Sequence, residues 1–338
     1  MHRPPLAEKL PPLTARFGIR SARQLGRDLA TVLRHLPRGD RFAFDLSSAG
    51  LLRPSLALPA YAGFVPDDGV APIFNFFDRT AGGRDYRQLV TRARQRDWRG
   101  GRLSYDEHDG TDFVCPPGTP LTAAAPGRTV AARDSWLRGG LTLCVDHGEG
   151  VVTQYTHLAR VLVPPGQLVE RGEPIALSGH SGIDMTQFFP WVPPHVHFMA
   201  WVAGVPVDPY LAEGEAQHGA TWIDGNDPAP ASGPRAGDAP LDSLAHPPVF
   251  AEAARKLLAL CRDRAIVEEV ERVSDAASRV AILEDSLHHE RYAWPEPAHA
   301  IALRPPGDAT RVRLTLPLPA SHYRGARAAD TRSSRPEQ

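Results

Sequence analysis

Between residues 101 and 213 the chain is made of short alternating segments separated by turns, and no other feature restricts its fold as strongly. GLTLCVDHGEGVVTQYTHL, beginning at Gly140, reads as a hairpin closed by the Gly-containing turn HGEG. VLVPPGQLVERGEPIALSG reads as further short strands around PPG and RG turns, and HVHFMAWVAGVPVDPYL as a closing strand pair. Strands with so little helix between them do not build crossover units. The expectation is a mainly β core over 101–213, an antiparallel β sandwich or open barrel, with α-helical N- and C-terminal extensions.

The flanks have a different texture. Residues 1–100 read as an N-terminal α/β extension. In SARQLGRDLATVLRHLPRG, residues Leu25, Leu29, Val32, Leu33 and Leu36 make one helical stripe, with Ser21 as cap and Pro37 and Gly39 as stop. RFAFDL alternates Phe42, Phe44 and Leu46 as a strand, and 85–98 reads as a basic helix with a solvated arginine face. Residues 214–240, rich in Gly, Pro, Ala and Asp, read as a linker. Residues 241–321 read as a helical region. There Ile266, Val270, Val273, Ala277 and Val280 form a packing seam against a helix around Val249–Leu260, and residues 300–319 form a terminal hairpin. Residues 322–338 are expected to be a disordered tail.

Composition narrows the function classes. With 42% hydrophobic and 23% charged residues the chain can form a real core. The formal net charge of −1 offers no reason for a nucleic acid or an anionic membrane as partner. No stretch approaches the ~18 apolar residues of a transmembrane span. The N-terminus as given has no apolar run of signal-peptide length, so the default expectation is cytoplasmic. The three cysteines, Cys115, Cys144 and Cys261, form no CxxC and read as free thiols.

Six of the fourteen histidines fall between 108 and 197. His195 and His197 sit at i and i+2 of a predicted strand, so they share a face, while Val196 and Phe198 point to the core. Two buried imidazoles on one face need several hydrogen-bond partners, or a metal ion that takes their lone pairs. HDGTDF at 108–113 supplies His108 and Asp112 on a turn or strand edge, because Gly110 and the following Pro116–Pro117 disfavour helix. Together these are four N/O ligand candidates for a borderline metal. Three would suffice for catalytic zinc with water in the fourth position.

HDGTDF, TQYTHL at 153–158 and HVHF at 195–198, in this order, resemble the lysostaphin/LytM-type zinc metallo-endopeptidases, which cleave peptides of bacterial cell-wall peptidoglycan. GTPLTAAAPGRTV, VLVPPGQLVERGEPIALSG and GVPVDPYL resemble segments of the same family, and the likeness covers 101–212. The resemblance implies one zinc per chain bound by His108, Asp112 and His197. It implies that His157 and His195 stand beside the metal's water, one as base and one as oxyanion-stabilising acid, in either order. It implies a peptide or peptidoglycan substrate and a usual place outside the cytoplasm or in the periplasm. The residues carry no signature of oligomeric state.

His147 and His180 read as structural, Tyr155 as packing or orienting, and Cys115 as core. Between SGHSG and HVHF the family has a short Gly-rich link, whereas here IDMTQFFPWVPP intervenes. This loop is either a groove wall that selects substrate or a loop pinned by its aromatics.

Three rivals are weaker. A catalytically silent peptidoglycan-binding or hydrolase-activating protein of the same fold is disfavoured, because all five expected positions are filled. A biotinyl or lipoyl carrier needs a lysine on a hairpin turn, and none lies between Lys9 and Lys256. GHSGI at 179–183 misses the nucleophile-elbow pattern of a serine hydrolase, since Ile183 stands at the last glycine.

Overall fold

The structure, a computed structural model, describes residues 1–4, 10–35, 52–75, 77–79, 107–136, 139–186, 188–210, 226–244, 249–290 and 293–329. The strand expected at 41–46, the helix at 85–98, the stop at Pro37 and Gly39, and linker residues 214–225 lie outside these. Helices α1 (Leu13–Arg16), α2 (Ala22–His35) and α3 (Pro54–Tyr61) precede strands β1 (Val70–Asn75) and β2 (Asp78–Arg79). Then come β3 (Glu107–His108), β4 (Thr111–Val114), β5 (Pro120–Thr122), β6 (Gly127–Arg133), β7 (Leu141–Asp146), β8 (Val151–Val161), β9 (Leu168–Val169) and β10 (Pro174–Ser178). Helix α4 (Ile183–Thr186) leads to β11 (His195–Val202) and β12 (Val205–Val207). Helices α5 (Ala251–Leu260), α6 (Arg264–Glu271) and α7 (Ala276–His289) and strand β13 (Gly325–Ala328) complete the chain.

The fold is mainly β, as expected. Eleven of these strands form one mostly antiparallel sheet with the path β13-β1-β4-β11-β8-β7-β6-β9, while β2 and β3 pair separately. β11 is the hinge of the arrangement, pairing β4 along its first half and β8 along its second. Its alternation sorts two cores. Val196, Phe198 and Ala200 join Phe113, Leu121, Leu143, Tyr155 and Ile175 in one. Met199 and Trp201 join Val130, Ala131, Cys144 and Val152 in the other, under α5, α6 and α7. His195 and His197 have the parity of Met199 and Trp201, so they lie on the helix-covered face of the strand.

The expected seam runs across two helices, α6 and α7. Asp263 caps α6 by accepting from the Ala265 N–H, and Asp275 caps α7 by accepting from Ser278 N–H, so a new helix begins inside the pattern. Its residues pack on the sheet as well as on Leu257 of α5. Charges cross this interface in clusters: buried Arg304 meets Asp146 and Glu284, and half-buried Arg133 meets Glu269, Asp285 and Glu290. Such pairs are costly to break on one side, because the remaining charge stays buried.

Four expectations need amendment. In α2 the buried positions are Gln24, Asp28 and Thr31, while Leu29 and Leu33 of the apolar stripe are exposed. The polar side turns inward because Asp28 accepts from Trp136 N–H and Gln24 donates to Gly18 O. Linker residues 226–240 are irregular but packed, with Arg171 paired to Asp238 and Pro230 bridged to Leu316. Residues 300–319 form no hairpin. Leu314, Leu316 and Leu318 are buried, yet the segment bonds to Ala124, Ala229 and Thr122 on its two sides. Four prolines, at 305, 306, 317 and 319, remove the donors a self-paired ladder needs. Finally, the tail is ordered through 329, because β13 pairs parallel with β1. Its polar composition hid this, since the partner is a backbone edge rather than an apolar face.

Candidate metal centre and its flanking histidines

The register of β4 and β11 sets Asp112 directly opposite His197. Directly opposed residues of an antiparallel pair share a face at close range. His197 Nδ1 lies 2.8 Å from Asp112 Oδ1, and His108 Nε2 lies 3.3 Å from Asp112 Oδ2. The turn that returns His108 to this place requires Gly110. A Cβ there would stand 2.7 Å from both the His197 ring and Phe198 O. The three candidate ligand atoms all fall within 4.8 Å of one another, and all three residues are buried. Bonds of 2.0–2.1 Å in a tetrahedron imply ligand–ligand edges of about 3.3 Å, and the contacts here are of that size. Two imidazoles and a carboxylate are a donor set suited to a borderline divalent metal, so the residues fit such an ion.

Electrostatics favour that set. Burial alone would raise the Asp112 carboxyl. The facing His108 and His195, and hydrogen bonds from His108 and His197, outweigh it and hold the group well below the usual carboxylate range. Burial likewise lowers His197, but Asp109 and Asp112 overcome it and push the ring up to about 9. Both shifts arise from the close carboxylate–imidazole contacts that gather the ligand atoms in one place.

His157 and His195 flank this centre. The backbone of His157 is left-handed, with φ at +59°. The β7–β8 register shifts between Leu141 and Leu143, and the His157 N–H leaves the ladder to donate to Gly139 O at 2.8 Å. A bulge of this kind re-aims a side chain, and strain of this kind clusters at working sites. His157 Nδ1 lies 2.8 Å from Ser181 O, and His195 Nδ1 lies 2.8 Å from Pro193 O. A carbonyl only accepts, so each Nδ1 carries the hydrogen and each neutral ring keeps its lone pair on Nε2. The two rings stand 4.9 Å apart, and His195 Nε2 is 3.6 Å from Asp112 Oδ1.

All five residues singled out in the sequence therefore meet in one place. Two neighbours went unnoticed there. Asp109, inside HDGTDF, has Oδ1 3.5 Å from His197 Nε2. Asn75 sits opposite Asp112 on β1, so Asn75, Asp112 and His197 form a row across three strands. Asn75 Nδ2 is buried and meets no hydrogen-bond partner among the described residues. A single asparagine ending a short strand has no sequence signature, and β1 lies outside the stretch that resembled a known family.

The remaining candidates are structural. Tyr155 OH accepts from Ala124 N–H at 2.9 Å, and Cys115 is fully buried. His180 packs edge-on to Phe17 and Tyr61 and stacks on Phe189. Those contacts, and the bond from Arg53 N–H to Trp191 O, pin the 183–194 loop to α1 and α3. His147 donates from Nδ1 to Pro126 O and accepts at Nε2 from Thr153, both at 2.8 Å. Burial pushes its pKa down to about 4. An unfolded chain binds that proton nearer pH 6.5, so the contribution is present above pH 6.5 and is lost as pH falls to about 4. At about 1.4 kcal/mol per unit the gap between 6.5 and about 4 is on the order of 3 kcal/mol. Urea unfolding of metal-free protein should show this loss between pH 7 and 4, with a flatter profile for His147→Gln. Parallel profiles would contradict the assignment.

Residues 106–209 match Peptidase family M23, and the chain carries a domain of that family there. Peptidoglycan DD-endopeptidase ShyB of Vibrio cholerae is 38% identical over 106 residues, which cover 31% of this chain and 23% of that protein. Murein hydrolase activator EnvC of Escherichia coli is 44% identical over 66 residues, covering 19% of this chain and 15% of that one. The chain thus spans less than a quarter of the length of either. Among solved structures, LytU is 32% identical, covering 31% of this chain and 71% of that chain, with a TM-score of 0.28.

Proposed function

We propose that the Peptidase family M23 domain at residues 106–209 is a zinc-dependent endopeptidase that hydrolyses peptide bonds in the stem peptides or cross-links of peptidoglycan. One observation carries the reading. The ligand atoms of His108, Asp112 and His197 converge within 4.8 Å, beside two imidazoles whose tautomers are set by backbone carbonyls. His108 would offer Nε2, Asp112 a carboxylate oxygen and His197 Nδ1 to the ion.

When bound, zinc supplies Lewis acidity, which acidifies water and polarises a carbonyl. The chain's own residues do the rest. Asp112 stays ionised and contributes the charge that retains a divalent cation. Of His157 and His195, one accepts a proton at Nε2 from the attacking water and returns it to the leaving amine. The other, protonated, donates from Nε2 to the oxygen that gains charge. Ser181 O and Pro193 O hold the Nδ1 hydrogens, so proton traffic is confined to the Nε2 atoms. The domain would thus work where peptidoglycan lies, in the periplasm or outside the cytoplasm. No helix among the described residues is long and apolar enough to cross a membrane.

The likeness to an activator raises a second reading, a silent scaffold. Filled ligand and acid–base positions favour the enzyme. Purified full chain incubated with peptidoglycan sacculi or cross-linked muropeptide dimers should release new amino termini, detected by mass spectrometry. Chelation should stop this and zinc restore it. A zinc-loaded chain that releases nothing supports the scaffold instead.

A further inference from the structure

His108, Gly110 and Asp112 of HDGTDF have roles in the centre as ligands or turn, whereas Asp109 has none. It is buried, at 5% exposure, and its Oδ1 is 3.5 Å from His197 Nε2. On the other side of the ring, His197 Nδ1 is 2.8 Å from Asp112 Oδ1. The imidazole is therefore approached at both nitrogens by carboxylates, and the two nitrogens have different work. A neutral ring carries one N–H, and the nitrogen bearing it has no lone pair to offer a cation. Asp109 can only accept, so it favours the hydrogen on Nε2. The lone pair then lies on Nδ1, on the side where Asp112 and His108 converge. Asp109 itself stands outside the group of atoms that could share an ion. Gly110 keeps the segment against the same ring edge, since a Cβ there would come 2.8 Å from Nε2.

Resting on the metal reading above, we infer that Asp109 is a positioning residue that locks His197 in its Nε2–H tautomer and makes Nδ1 the ligand atom. An outer carboxylate in this place also raises ligand basicity, and its loss typically weakens metal affinity by about 10–100-fold.

The test is zinc affinity of the full chain, read by competition with a chromogenic chelator, for wild type, Asp109→Ala, Asp109→Ser and Asp109→Asn. Ala and Ser should each weaken binding by about 10–100-fold. Asn, of the same shape and able to accept from Nε2–H, should recover most of that loss. Two short replacements keep the comparison available if one folds poorly. A mere charge effect predicts Asn as weak as Ala, and that result overturns the assignment, as does equal affinity in all four proteins. A wild-type chain that takes up no zinc overturns the metal reading and this assignment together. Normal wild-type binding with indifferent Asp109 variants overturns this assignment alone.

Discussion

His197→Ala should abolish stoichiometric zinc binding while leaving the sheet folded. On the proposed reading His197 contributes one of three protein ligands, and structural zinc sites hold their ion with about 10–16 kcal/mol across four. A quarter of that, about 3 kcal/mol, is already at least ~10²-fold in affinity. The true loss should be larger, because Asp112 also loses the ring lying 2.8 Å away. The fold should survive, since Val196 and Phe198 anchor β11 from the opposite face. Elemental analysis after dialysis, with circular dichroism as the folding control, checks both halves. Equal zinc in wild type and variant would mean the ion, if any, sits elsewhere.

His157→Asn should do the reverse, retaining zinc while lowering turnover on muropeptide dimers by roughly 10²–10⁴-fold, the usual worth of a positioned acid–base group. Asparagine suits the test because the position has a φ of +59°, where Asn is tolerated better than most residues. His195→Asn should match it in direction, since His195 Nε2 lies 3.6 Å from Asp112 Oδ1 and the two rings stand 4.9 Å apart. Turnover near wild type in either variant would remove that ring from the chemistry. Loss of zinc as well would move it into the ligand set.

Parts of this site were legible in the primary structure because they depend on local periodicity. Two-residue spacing puts His195 and His197 on one strand face, and a strand keeps that relation wherever it is docked. Gly110 and the nearby prolines mark His108 and Asp112 as turn or edge residues for equally local reasons. The hairpins between 140 and 178 follow from their Gly- and Pro-bearing turns in the same way.

Convergence was another matter. Asp112 and His197 are 85 positions apart and face each other only through the β4–β11 register. That register follows from how every strand of the sheet packs, and a slip of one residue would turn His197 to the other face. The bulge at His157, the proximity of Asp109 to Nε2, and the pairing of β13 with β1 share this origin. Each depends on backbone donors, acceptors and clearances that all residue types present alike. The chain by itself thus determined which side chains could serve and that His195 and His197 share a face. Only tertiary packing decided which of them meet, because nonlocal register and backbone edges leave no periodic mark on the residues that obey them.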